Sequence, residues 1–306
     1  MIMLKKSLWF ATLAGCSLSS SLYAVSYGFS DYYFVDPDTS WHMESRYTAI
    51  GAAEFDHHEY GKLNYAEGNA AVFYDHSFNE DNAISFEVEY DYLKLDWEKN
   101  PRFKQTNFNY FCGSVGYVST EIEKWRWIIN TGFSVEANDF NFGHTGVYHG
   151  MLWGRYSFLE GAGLNMGVMG WYGVKNGYLL PVIGIDWFWG NNLKFNVIFP
   201  INASMTYTFN PHWSLYFSYS GFGGPYKYPR RASDGIGAYQ DPIFKVFSSG
   251  FDLNLNYAYN HLIMASIGGG WNFGGWILIK DQNNHHGNYF KYNSAPYVQG
   301  SLAFSF

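Results

Sequence analysis

The stretch ISFEVEYDY, residues 84–92, alternates without a break. Ile84, Phe86, Val88, Tyr90 and Tyr92 share one side; Ser85, Glu87, Glu89 and Asp91 share the other. Side chains on a strand point to opposite faces with period two, so this segment reads as a strand with one oily and one acidic face. In a soluble sandwich the oily face turns inward and the acids meet bulk water. In a membrane barrel the oily face turns to lipid and the acids line an interior. The rest of the chain has to decide.

Similar runs recur. Phe251, Leu253, Leu255, Tyr257 and Tyr259 alternate with Asp252, Asn254, Asn256 and Ala258. Leu215, Phe217 and Tyr219 alternate with Ser214, Tyr216, Ser218 and Ser220, and Met205, Tyr207 and Phe209 with Ser204, Thr206 and Thr208. In WIINTGFSVEAN, Ile129, Phe133 and Val135 oppose Asn130, Ser134, Glu136 and Asn138. No comparable segment of helical period with caps is present, and there is no internal repeat or linker. The chain is 22% aromatic and only 15% charged, against roughly 25% charged in soluble domains.

The first 24 residues, MIMLKKSLWFATLAGCSLSSSLYA, have two lysines, a short apolar run and small residues, the pattern of a secretory signal peptide. A cut after Ala24 is expected; LAGC offers the alternative of lipidation at Cys16. Beyond residue 24, Cys112 is the single cysteine, which excludes an intrachain disulfide. The most apolar later stretch, YLLPVIGIDWFWG, is short and carries Pro181 and Asp186, so it is no spanning helix. With 26 acidic against 19 basic side chains, nucleic acid is not an expected partner. An exported chain rich in aromatics and glycine, without spanning helices, suits a closed β-barrel in a membrane.

Breakers divide the chain into fourteen expected strands, near 41–55, 62–78, 82–97, 104–120, 124–138, 144–159, 162–176, 179–189, 193–199, 202–209, 213–224, 243–258, 262–279 and 290–306. The ninth and tenth are short and flank FPIN, so one kinked strand is an alternative there; twelve is the alternative strand count. Short connections (NEDN, EIEK, EGAG, GNN, NPH, NH) alternate with longer ones, as in outer-membrane barrels. Trp125, Trp127, Trp187, Trp189 and Trp213 all adjoin short connections, which predicts an interfacial girdle at one rim. Residues 25–40, aromatic and acidic, form a candidate plug ahead of a barrel spanning 41–306.

The chain ends PYVQGSLAFSF, with Phe306, Phe304, Leu302 and Val298 on one face and Gly300 interrupting the apolar row. This resembles the C-terminal insertion signature of bacterial outer-membrane barrels, and the whole chain resembles porin-like barrel families of that membrane. The resemblance implies an all-β, antiparallel up-and-down transmembrane barrel, integral to the outer membrane. Its implied partners are outer-membrane lipid, the barrel-assembly machinery and small solutes.

On that reading Ile84, Phe86, Val88, Tyr90 and Tyr92 face lipid. Glu87, Glu89, Asp91 and, on another strand, Glu136 are the candidate pore-lining residues, raising local cation concentration. Alternatively these acids keep a wet wall soluble or pair with Arg46, Arg126 or Arg155. At Leu93 the alternation passes to Leu93, Leu95 and Trp97, which reads as a phase slip at a bulge or rim. His57 and His58 in DHHEYG and His285 and His286 in NNHHG are metal candidates. Neighbours on an extended strand point opposite ways, so each pair needs a turn to meet one ion. Neither a nucleophile elbow nor HExxH occurs, no catalytic residue is assigned, and no cofactor is expected. Cys112 reads as a small packing residue. The expected function is a porin-like channel for small solutes with weak cation preference. The alternatives are a plugged barrel acting at the surface and a carrier of apolar ligands, with Tyr216, Trp171 and Met169 on the lumen side.

Overall fold

The computed structural model describes residues 41–306 apart from 174–176, 201, 230, 232–238, 260, 261, 282 and 284. The expected signal peptide at 1–24 and candidate plug at 25–40 lie outside the described residues. Strand segments follow one another: β1 (Trp41–Glu54), β2 (Lys62–Ser77), β3 (Asn82–Trp97), β4 (Asn107–Ser119), β5 (Trp125–Glu136), β6 (Val147–Leu159), β7 (Ala162–Tyr172), β8 (Tyr178–Trp189), β9 (Leu193–Phe199), β10 (Asn202–Asn210), β11 (Trp213–Phe222), β12 (Pro225–Lys227), β13 (Ile243–Tyr259), β14 (Ile263–Lys280), β15 (Asn288–Tyr292) and β16 (Ala295–Ser305). A single 3-10 turn, His58–Tyr60, joins β1 to β2.

Two of these segments are continuations rather than new staves. β11 leaves β13 at the Phe222–Ser248 pair and β12 resumes on the same edge at Pro225–Lys245. β15 pairs with β14 from Ile279 to Gly275, and β16 takes over at Asn272–Ala295. The wall therefore has fourteen antiparallel strands, closed where β1 pairs with β16. The backbones of Trp41 and Phe306 lock that seam with two reciprocal hydrogen bonds of 3.1 and 2.9 Å. β9 and β10 are separate strands, which settles fourteen over twelve. Closure leaves no edge strand, the condition for a sheet to cross lipid.

The outer face is oily. Phe86, Val88 and Tyr90 are exposed on β3, with Ile183 and Ile185 on β8 and Leu253 and Leu255 on β13. All five tryptophans of the expected girdle sit beside short turns: Trp125 opens β5 with Trp127 stacked 5.0 Å away, Trp187 and Trp189 stack at the end of β8, and Trp213 opens β11. Val298, Leu302, Phe304 and Phe306 are outward and exposed. Together the closed wall and its oily exterior define a transmembrane β-barrel.

Two details depart from expectation. Val135 lies on the outward face but is fully buried, because the 137–146 connection folds back against the outer wall. Its Phe140 packs on Phe111 and its Phe142 on Phe133, at ring separations of 5.9 and 5.2 Å. Nor does β3 contain a phase slip. Its ladder to β2 runs from Ala83 to Trp97 and its ladder to β4 from Asn82 to Lys94, neither with a register shift. Glu87, Glu89, Asp91, Leu93, Leu95 and Trp97 all occupy one inward row, so the chemistry of the lumen changes while the parity does not.

Register shifts lie elsewhere, in the β1–β2, β6–β7, β10–β11 and β13–β14 ladders, the last of them in the glycine-rich stretch of β14. The β13–β14 register shifts between Ser248 and Gly250. Gly274 turns there with φ +88°, a conformation available to glycine at little cost. Inward parity passes from Asn272 to Ile277 and Ile279 as a result. Earlier in β14, a Cβ on Gly268 would sit 2.1 Å from Asn254 Oδ1, so that glycine makes room for an inward polar cluster.

Candidate functional site: the lumen wall

The lumen has two chemical halves. The half toward the long connections is filled by an aromatic stopper. Phe108 from β4 and Phe244 from β13 meet Phe103 from the 98–106 connection and Tyr228 just beyond β12, with ring separations of 5.0 to 5.6 Å. Phe55 stacks on Trp97 at 4.5 Å, and Leu63, Leu93, Leu95, Ile277 and Ile279 complete the same buried cluster. The turn that carries Phe103 inward is held by Asn100 Oδ1, which accepts from the backbone N–H groups of Arg102 and Phe103. A second buried apolar strip follows the inward faces of β6 to β9 and includes Met151, Trp153, Met169, Trp171, Leu180 and Val182.

The half toward the short turns is polar. Glu87 accepts a 2.6 Å hydrogen bond from Ser114, Glu89 a 2.6 Å bond from Asn69, and Asp91 a 3.1 Å contact from the Cys112 thiol. These partners follow from register: Asn69 stands opposite Asp91 on β2, while Ser114 and Cys112 stand opposite Glu87 and Glu89 on β4. Three strands along the wall, on β16, Gln299 accepts from Arg46 at 2.9 Å and donates to Asp252 and Asn254 at 2.5 and 2.8 Å. Ser218 donates to Asp252 as well. Arg155 grips Asp186 with Nε and Nη2, and Asn165 links that pair to the Trp153 indole. Near the rim, His42 lies 2.9 Å from Ser305 and 3.1 Å from Asp75, tying β1 to both neighbours across the seam. A pocket of about 220 Å³ opens at the β2–β3 turn, lined by Asp75, Glu80, Asp81 and Arg126 among others.

The four acids chosen from sequence thus split. Glu87, Glu89 and Asp91 lie side by side on one strand. Glu136 lies at the long-connection end of β5, fully buried, 3.2 Å from Arg231 and 2.9 Å from Asn138. Met169 and Trp171 face inward in the apolar strip, and Tyr216 faces inward opposite Thr206 and Asn254. His57 and His58 are exposed at the β1–β2 turn, and His285 and His286 are exposed with perpendicular rings 6.4 Å apart. Among the described residues, the grouping of three metal-ligating side chains is instead Glu89, Asp91 and Cys112. Period-two alternation places Cys112 on the same inward face as Ser114; only the register shows that it meets the acids.

No family model matches the chain. It is similar to an uncharacterised protein of Chlamydia pneumoniae, 23% identical over 289 residues covering 88% of each chain. An uncharacterised protein of Chlamydia trachomatis serovar D is 22% identical over 321 residues, covering 99% of this chain and 100% of the relative. Similar solved structures include a KdgM porin in complex with disordered oligogalacturonate (TM-score 0.37, 9% identity, 87% of this chain and 99% of that one). Another is the Pseudomonas putida toluene transporter TodX (TM-score 0.43, 8% identity, 92% and 93%).

Proposed function

We propose that this chain is an integral outer-membrane barrel that passes small solutes, with a weak preference for cations, and that its lumen is held closed at the long-connection end. The observation that carries this reading is the row Glu87, Glu89 and Asp91 on the inner wall, three carboxylates on successive inward positions of one strand, with Glu87 accepting from Ser114 and Glu89 from Asn69. Glu44, Glu67 and Asp252 face the same interior from β1, β2 and β13, while Arg155 is engaged by Asp186. Carboxylates on a low-dielectric wall raise the local concentration of cations. Screening limits their reach to about 8 Å at physiological salt, so the bias belongs to dilute solutions. Assembly follows from Phe306, Phe304, Leu302 and Val298 being read by the barrel-assembly machinery, and no catalytic role is part of this reading.

The aromatic stopper favours a second reading, a plugged barrel that acts at the surface. One experiment separates the two. The full chain is purified from outer membranes of producing cells; its absence from that fraction would refute the location. It is then placed in a planar bilayer, alongside a variant lacking the stopper ring of Phe103 (Phe103→Gly). The expected result is cation-biased conductance in the variant and brief openings in the parent. Changing Glu87 and Glu89 to Gln and Asp91 to Asn should move the reversal potential in a dilute salt gradient toward zero. Silence in both proteins would establish the plugged barrel; conductance with an unmoved reversal potential would remove the acids from the ion path.

A further inference from the structure

The fold gathers three donors that the sequence leaves apart, and we propose that Glu89, Asp91 and Cys112 bind a borderline divalent transition metal such as Zn²⁺ on the inner wall of β3 and β4. One ligand atom from each lies within 4.8 Å of the others, and all three residues are buried. The gathering follows from register, since Glu89 stands opposite Cys112 and Asp91 is the next inward residue on β3. The thiol already lies 3.1 Å from Asp91 Oδ2.

A second observation points to a cation rather than to a chance meeting of acids. Glu89 is 1% exposed; Oε1 accepts from Asn69, while Oε2 meets no N–H or hydroxyl donor, and the Glu89 carboxyl is set against that of Asp91, a pairing of two acids that needs a proton or a cation between them. A buried carboxylate oxygen without a donor is expensive, and a bound cation supplies what is missing. Asn69 holds the carboxylate in place by its other oxygen, the kind of outer support that orients a metal ligand. Glu87, two residues along the same row, adds negative potential without joining the cluster.

The donor set selects the ion. Two carboxylates with a thiolate suit Zn²⁺ and its neighbours, whereas Mg²⁺ and Ca²⁺ prefer oxygen alone. Tetrahedral Zn²⁺ with bonds of about 2.0 to 2.3 Å sets its ligands roughly 3.5 Å apart, so side-chain rotation of about an ångström closes the site. Binding releases the thiol proton to solvent. The site stands whether or not the barrel conducts, so its test is separate from the bilayer experiment.

The full chain, folded in detergent and kept reduced, is titrated with Co²⁺. Folding is checked by the shift in electrophoretic mobility on heating. The expected result is one equivalent of bound metal with a thiolate-to-cobalt charge-transfer band, displaced by Zn²⁺ and indifferent to Ca²⁺. Cys112→Ser should abolish the band and Cys16→Ser should leave it. Glu89→Gln should keep the band but weaken Co²⁺ binding by about tenfold or more. A folded parent without the band, a band that survives Cys112→Ser, or unchanged affinity in Glu89→Gln would each overturn the assignment. If Cys112→Ser does not fold, Glu89→Gln decides alone.

Discussion

The two halves of the inner wall are built from the same strands and share nothing else. On β3 the inward row reads Glu87, Glu89, Asp91 and then Leu93, Leu95, Trp97. On β4 it reads Ser114, Cys112, Tyr110 and then Phe108. Alternation assigns a side chain to a face, but what lies beyond that face is decided by whatever else enters the space. Toward the short turns the row meets other polar wall residues. Toward the long connections it meets Phe103 and Tyr228, delivered from connecting segments. A barrel of fourteen strands encloses more space than wall side chains alone fill, and Phe103 and Tyr228 from the connections occupy part of it at one end.

The contrast can be broken or sharpened by substitutions along these rows. Phe108→Ala tests the packed half. Phe108 is fully buried among Phe103, Tyr228 and Phe244, and its loss should cost about 3–5 kcal/mol in urea unfolding from lipid vesicles. A cost below about 1 kcal/mol would mean a loose, wet stopper. Val88→Arg tests the outer face of the same wall. Val88 is 52% exposed, and arginine at mid-membrane should cost about 2–4 kcal/mol in the same assay. Stability equal to the parent would move β3 out of the lipid zone. Ser114→Ala, on the row of Phe108 but in the polar half, removes the 2.6 Å bond to Glu87 and should cost only about 1 kcal/mol. A cost as large as that of Phe108→Ala would show that the polar half is as dry and tightly packed as the other.

Much of the wall was legible because parity and breakers are local properties. The expected strands at 82–97 and 193–199 match β3 and β9 residue for residue, and the 202–209 strand differs from β10 by one residue. The ends were less legible where a connection turns inward or folds back. The strand expected at 104–120 begins at Asn107, since Asn100 directs the preceding residues into the lumen. The strand expected at 124–138 ends at Glu136, where the 137–146 connection turns onto the outer wall. Val135 shares the apolar face of Ile129 and Phe133, and nothing in its own strand announces Phe140 and Phe142 above it. Leu93 reads as a slip when hydrophobicity marks lipid, which holds only where the interior is polar. Cys112 passed as a packing residue because its acidic neighbours arrive through cross-strand pairing. The acids Glu87, Glu89 and Asp91 stood out because their own strand sets them against an oily face.

The unbroken ladders of β3 have a consequence for how this wall tolerates insertions and deletions. With β2 and β4 both in register from Ala83 to Lys94, removing one residue between Glu87 and Leu93 would invert every residue on one side of the cut. Carboxylates would enter lipid while Val88 or Tyr90 turned inward. Removing two residues would slide the row along the wall and keep each face intact. Length changes in this strand therefore come in even steps, whereas β14, with a glycine at φ +88° already absorbing an odd residue, has a place where the count can change by one.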